Sequence, residues 1–312
     1  MTTSRRSFLA TIGPHLAAHG REESDARGLA VAPGFIDIHS HGDGNLDQDP
    51  RAESVIRQGV TTIVVGADGS SRATGAVDKT FADYFVTTDR LCAGPNVATM
   101  VGLGSVRGAV VGDKDRPATP DEIARMTAMV ERALADGAGG ASTGFECTPG
   151  AFASLDKLIV LSRPLASRRL PYATHMRNED DKLLDAIDES IAVANAEGKR
   201  LGARTKAHDV EPYEYTVGPL KRSHGNITLP NAIRKMTSLS AARVHLTDRG
   251  RLATGLAADV VVVDPARITD TATCEQPFQY PVGISTVIVN GAVALRDGQR
   301  APVGTGRALR AG

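Results

Sequence analysis

Residues 34–43 read GFIDIHSHGD. Phe35, Ile36 and Ile38 alternate into a short apolar run around Asp37, and His39 and His41 follow two apart. Side chains along a strand alternate faces, so residues i and i+2 point the same way. A strand over residues 35–39 therefore projects both imidazoles from its carboxyl end toward one point. Two imidazoles converging in this way suit one divalent metal, with zinc, iron or nickel as the natural choices. The alternative is a pair of histidines on a polar turn that closes a strand. Pro33-Gly34 before the strand and Gly42-Asp43 after it mark its ends and favour the metal.

Working outward, the composition narrows the field. At 312 residues the chain buries a large core, in one barrel-sized domain or one plus a small partner. Lys+Arg and Asp+Glu stand at 36 each, so nothing points to nucleic acid or an acidic membrane surface. Glycine is frequent, as a fold with many tight strand-to-helix turns requires. Cys92, Cys147 and Cys274 are far apart, odd in number and without a CxxC pair, so they form no disulfide framework. No apolar run approaches the roughly 20 residues of a membrane-spanning helix.

The segments after the histidine pair alternate between strand and helix patterns. Residues 52–58 read as a short helix stopped by Gly59, and 61–66 (TTIVVG) as a buried parallel strand. That strand runs out at Asp68. A polar residue at the carboxyl end of a barrel strand is where chemistry is placed, although Asp also caps helices. Residues 96–101 form a third strand. Residues 120–135 have helical spacing, with Thr119 as N-cap, Pro120 in the first turn and Gly137 as terminator. Residues 139–144 (GGASTG) and 171–177 (PYATHMR) are two further strand ends, the second carrying His175. Arg177 suits bidentate pairing with a substrate carboxylate, or an ion pair with Glu179 or Asp180. Residues 181–196 are helical and 228–246 resume helical spacing. The Val260–Val263 run and the unit over 280–294, with its Asn290-Gly291 turn, are strands of a small sheet.

Four motifs carry a resemblance: GFIDIHSHGD; STGFECTPG from Ser142; HMRNE from His175; and NAIRKMTSLSA from Asn231, followed by RGRLATGLAADVVVVD from Arg249. Together they resemble the N-acyl-D-amino-acid deacylases of the amidohydrolase superfamily, over residues 28–198 and 228–310. The resemblance implies a TIM-type (β/α) barrel with a small β-sandwich subdomain built from the chain ends. It implies zinc, one or two ions, held by His39, His41, Asp68 and His175, and hydrolysis of the linear amide of a small-molecule N-acyl-D-amino acid. A carboxylate would take the proton of the attacking water and return it to the leaving amine. Arg177 would grip the substrate carboxylate. Glu146 would contact substrate or support a ligand, or else be a solvated loop residue.

The chain also departs from that pattern. Cys147 stands where the family carries a tyrosine tied to substrate carboxylate binding. A complete barrel needs three more strand-helix units after His175, and only the polar stretch 198–226 is there, with one weak strand candidate at 213–217. The family's later histidine ligand and aspartate general base fall in that gap; His208 and Asp209 are the nearest replacements. The expected architecture is thus an incomplete α/β barrel over residues 28–246, truncated near 198–226, with an amino-terminal segment at 1–27 and a β-sandwich subdomain at 247–312. Two alternatives follow: a catalytically inactive remnant that needs a partner copy, or a cyclic-amide hydrolase of the imide or hydantoin type. SRRSFL at residues 4–9 resembles a twin-arginine export signal with a short apolar core, or is an ordinary basic terminus. It leaves location open between cytoplasm and periplasm.

Overall fold

A computed structural model of the chain describes residues 24–73, 80–196, 228–302 and 304–311. The SRRSFL motif, the strand expected at 213–217, and His208, Asp209 and His224 lie outside the described residues.

The parallel part begins with β2 (Phe35–Asp37), which follows β1 (Ala30–Pro33). Helix α1 (Glu53–Arg57) leads to β3 (Val60–Val65), α2 (Phe81–Arg90) to β4 (Asn96–Thr99), and β5 (Val101–Gly102) to α3 (Leu103–Val110). Then come α4 (Pro120–Asp136), β6 (Ala141–Gly144), α5 (Leu155–Arg168), β7 (Tyr172–His175) and α6 (Leu183–Ala196). Strands β2, β3 and β4 pair in parallel in that order, as do β5, β6 and β7. The two triplets are continuous through Met100. The Met100 amide donates to Val65 O at 2.9 Å, and the next amide, Val101, donates to Gly140 O at 2.9 Å. Residues 96–102 thus hand the ladder from β3 to β6, giving five of the eight strand positions of a complete barrel.

Local chemistry explains these elements. All six residues of β3 are buried, as a strand covered on both faces must be. Ile63 and Val65 join the large core between sheet and helices, with Phe85, Met126, Leu158 and Leu165; Val64 between them faces a smaller cluster with Ala98, Met100 and Val244. Helix α4 starts at a complete capping box: the Thr119 hydroxyl accepts from the Glu122 amide and the Glu122 carboxylate accepts from the Thr119 amide at 2.8 Å. Gly137, at φ 117°, ends it.

The carboxyl-terminal third adds α7 (Leu229–Arg234), a π-helical turn (Lys235–Leu239) and α8 (Ser240–Arg243), which pack toward β2. Strands β8 (Val260–Val263), β9 (Ile284–Val289), β10 (Ala292–Arg296) and β11 (Gln299–Arg300) then form an antiparallel sheet in the order β1-β8-β9-β10-β11. Strand β1 belongs to this sheet, as a subdomain built from both chain ends requires: Ala30 pairs Val263 and Pro33 pairs Val260. The β9–β10 turn has Asn290 at φ 50° and Gly291 at φ 85°, the two left-handed residues the Asn-Gly pair supplies. Residues 304–311 return to the barrel, where Ala308 bridges Val97.

Two features stand out. Among the described residues β7 pairs only with β6, and α6 beside it exposes Leu184 (75%) and Ile191 (43%), one helical face apart by seven residues. This is the side on which a sixth strand and helix would continue a barrel. No described helix is long and apolar enough to cross a membrane.

The sheet and the barrel meet at a buried polar joint. Asp259 accepts from Arg249 Nη1 at 2.5 Å, Asn96 Nδ2 at 3.1 Å and the Asn290 amide at 2.7 Å, while Asn96 Oδ1 accepts from Asn290 Nδ2 at 2.7 Å. Burial pushes the Asp259 carboxyl up, against the pull of Arg249 and the two asparagines. Without Asp259, the buried Arg249 keeps only the exposed Asp248, and Asn96 Nδ2 and the Asn290 amide lose an acceptor. Asp259→Ala should therefore lower unfolding free energy by about 3–5 kcal/mol, read from urea denaturation; a loss under about 1 kcal/mol would show that the joint is replaceable by solvent.

Candidate metal centre

The centre is assembled at the carboxyl ends of β2, β3, β6 and β7. Beyond β2 the chain bends at residues 38–39, where the His39 amide donates to Asp37 Oδ1 at 3.0 Å, and it stays tied to β3 by the Ser40 amide, which donates to Val64 O at 3.0 Å. The strand expected over 35–39 thus ends at Asp37, and His41, at φ -103° and ψ 18°, is not extended. His39 and His41 fall on one side, their rings 5.5 Å apart and edge to face. A 3₁₀ turn at Gly42–Gly44 then carries the chain away.

Asp68 is presented by a tight turn after β3. Gly66, Asp68 and Gly69 all have φ between 49° and 77°, the left-handed region that costs an ordinary side chain about 1 kcal/mol or more. Ser142 on β6 stabilises that turn: its hydroxyl donates to Gly66 O at 2.5 Å and accepts from the Gly69 amide at 2.9 Å. Gly144 on the same strand is needed as glycine, because a Cβ there would sit 2.2 Å from the Asp68 carbonyl oxygen. The STG run is therefore the mould of the Asp68 turn. Sequence reasoning saw the motif but not this role of Ser142; its only signal was a small hydroxyl between a buried alanine and a strand end.

One carboxylate oxygen is the focus. Asp68 Oδ2 lies 3.3 Å from His39 Nε2, 3.2 Å from His41 Nε2 and 3.5 Å from His175 Nδ1. Burial alone would push the Asp68 carboxyl up; the His39 hydrogen bond and the fields of His39, His175 and His41 outweigh it and hold the group well below the usual carboxylate range. Asp68 is therefore an anion. The donors of His39, His41 and Asp68 all lie within 4.8 Å of one another. Donors 2.0–2.1 Å from a tetrahedral zinc are about 3.3–3.4 Å apart, so the spacing and the N/O chemistry both fit such an ion.

His175, the last residue of β7, reaches the same focus from the far side, as the sequence implied. Its other ring nitrogen, Nε2, is 2.9 Å from Glu146 Oε2 and 3.7 Å from Glu179 Oε1. Glu146, an exposed side chain, thus meets His175.

Arg177 does not do what its sequence position suggested. Its Nε and Nη2 donate to both oxygens of Glu189 at 2.9 Å, Nη1 to Ala151 O at 2.7 Å and Nη2 also to Ala153 O at 3.0 Å. The guanidinium also stacks 4.8 Å over the Phe145 ring. With its fork committed to Glu189 on α6, it ties the loop after β6 to that helix and is not available to a substrate carboxylate. Glu189 is not among the partners the sequence offered for Arg177. Cys147 is a free, exposed thiol on the same loop. His245 is exposed after α8 and is not drawn into the centre. Asp209 and His208 lie outside the described residues.

Comparison with known proteins bears on the fold and the family. A family model described as amidohydrolase family matches residues 202–295, including part of the stretch where the motifs break off. The D-aminoacylase of Alcaligenes xylosoxydans xylosoxydans is 28% identical over 444 aligned positions, covering 95% of this chain and 92% of that protein. A D-aminoacylase structure described by its binuclear metal centre, activated by one metal and attenuated by a second, superposes with a TM-score of 0.85 at 26% identity, covering 96% of this chain and 93% of that one. The N-acyl-D-glutamate deacylase of Bordetella bronchiseptica, complexed with zinc and a phosphonate inhibitor, gives 0.85 at 25% identity, covering 96% and 93%. An alignment of 444 positions against 312 residues leaves at least 132 positions opposite gaps in this chain.

The mould of the Asp68 turn is testable. Ser142→Ala leaves Gly66 O and the Gly69 amide unpaired in the interior, at a cost of about 1–3 kcal/mol. We expect that loss in thermal unfolding together with about tenfold weaker zinc binding by chelator competition; unchanged affinity would show that the turn holds Asp68 in place unaided.

Proposed function

This chain belongs to the amidohydrolase superfamily, in its D-aminoacylase branch, and on that premise we propose that it is a metal-dependent hydrolase of the linear amide in N-acyl-D-amino acids. The observation that carries the reading is the Asp68 oxygen facing nitrogens of three histidines at 3.2–3.5 Å. The ion we assign is one zinc, held by His39, His41, Asp68 and His175. Zinc there supplies a Lewis acid for the acyl carbonyl and brings the pKa of a water toward neutrality.

The chain's own residues do the rest. Asp68, ionised far below neutral pH, keeps the donor set charged over the whole working range. His39 and His41 both present Nε2 to the same Asp68 oxygen, at 3.3 and 3.2 Å. Arg177 and Glu189 fix the loop that follows β6. Asp209, assigned from sequence alone, would take the proton of the attacking water and pass it to the amine.

A second reading has an observation in its favour. With at least 132 aligned positions opposite gaps and β7 paired only with β6 among the described residues, the chain can retain the metal and lack efficient turnover. Metal analysis after dialysis against zinc, with assays on N-acetyl-D-methionine and N-acetyl-D-glutamate, separates the two. We expect about one zinc per chain, lost in His39→Ala and Asp68→Ala, and slow hydrolysis lost in the same variants. Zinc without hydrolysis of either substrate selects the inactive reading. A wild-type chain that retains no zinc overturns both.

A further inference from the structure

A neutral imidazole carries one proton, and at His175 three carboxylates stand around the ring. Glu146 Oε2 is 2.9 Å from Nε2, Glu179 Oε1 is 3.7 Å from the same nitrogen, and Asp68 Oδ2 is 3.5 Å from Nδ1. Only the first is a hydrogen-bond length for N–H against a carboxylate; such bonds run about 2.7–2.9 Å. We propose that Glu146 is a positioning residue: it accepts the Nε2 proton of His175 and so leaves the Nδ1 lone pair aimed at the cation position beside Asp68. This rests on the metal reading above.

The consequence at Nδ1 is electrostatic. With the proton on Nε2, a bare lone pair and a carboxylate oxygen face each other at 3.5 Å with nothing between them. That is repulsive without a cation and favourable with one. The opposite tautomer would place a proton on Nδ1, satisfy Asp68 directly and remove His175 as a donor. Which nitrogen is protonated therefore decides whether three or four donors meet at the focus. Hydrogen bonding of a metal-bound histidine's other nitrogen to a carboxylate is the general device for fixing this choice.

The surrounding structure is built to keep Glu146 there. The Phe145 amide donates to the His175 carbonyl at 3.1 Å, joining the residue before Glu146 to β7. Arg177 holds the far end of the same loop through Ala151 O and Ala153 O, packs on Phe145, and is itself anchored by Glu189. An exposed glutamate on a free loop would lose its partner to solvent and rotamer entropy. On a loop clamped at both ends that loss is smaller. The clamp thus accounts for Arg177, and Glu146 accounts for the orientation of His175.

The test uses the intact chain, metal-free and ¹⁵N-labelled, at a pH where imidazoles are neutral. Long-range ¹H–¹⁵N spectra report the tautomer of each histidine, with His175→Ala giving the assignment. Wild-type His175 should be protonated on Nε2. Glu146→Ala should shift it toward Nδ1–H and weaken zinc binding about 10–100-fold. Glu146→Gln, whose carbonyl still accepts, should retain most of the tautomer, and Glu179→Ala should change neither readout. A wild-type Nδ1–H tautomer overturns the proposal, as does a Glu146→Ala protein with unaltered tautomer and affinity. So does a second zinc equivalent lost in Glu146→Ala, since Nε2 would then be a ligand. A wild-type chain that binds no zinc defeats the metal reading while the tautomer spectra still decide this one.

Discussion

One carboxylate oxygen, Asp68 Oδ2, organises the mouth of the barrel. Its three imidazole neighbours come from β2 and β7, and the turn that carries it leaves β3 and is moulded by β6. The strands fall in two consecutive pairs, β2 with β3 and β6 with β7. The oxygen keeps its charge although it is half-buried, because the surrounding imidazoles outweigh the cost of leaving water. The left-handed backbone at Gly66, Asp68 and Gly69 is the price of that placement, and it persists because Ser142 and Gly144 leave the turn no other shape. Strain of this kind is tolerated where the surroundings over-determine it.

Much of this was legible in the residues. The spacing of His39 and His41 announces that they share a direction, and both rings do reach Asp68 Oδ2, although β2 ends at Asp37 and a bend, not strand alternation, carries the chain between them. The run at Val60–Val65 announces a strand covered on both faces, and Thr119, Glu122 and Gly137 write the boundaries of α4 directly. Two things were hidden for physical reasons. Arg177 sits beside His175 in sequence, and proximity alone cannot say whether a guanidinium turns to a ligand or to a helix packed behind it; its partner Glu189 is twelve residues on. Glu146 and Ser142 work through contacts across strands, at separations of 29 and 73–76 residues, which no local pattern encodes. The joining of the two chain ends in one small sheet was expected from the resemblance, and the pairing of Ala30–Pro33 with Val260–Val263 supplies its register.

The shortened middle of the chain bears on what the centre can do. On the proposed reading the described parallel strands supply the donors of the cation, His39, His41, Asp68 and His175. What a complete barrel adds after β7 is further strand ends and cover for the apolar face of α6. A donor set and a proton carrier are separable parts of such an active site, and the present strands account for the first. Binding and turnover are accordingly distinct properties of this polypeptide.

The polar joint around Asn96 has a kinetic corollary. Asn96 Oδ1 accepts from the Arg307 amide across 211 positions of sequence, and Ala308 lies against Val97 in the middle of β4. One edge of β4 pairs with β3, and the other is filled by residues 307–309, with the Val97 amide donating to Arg307 O and the Leu309 amide to Val97 O. Closing a loop of that length costs more entropy than pairing neighbouring strands, and distant pairings of this kind slow folding. The second edge of the strand that joins the two halves of the parallel sheet can be filled only once residues 307–309 have been made.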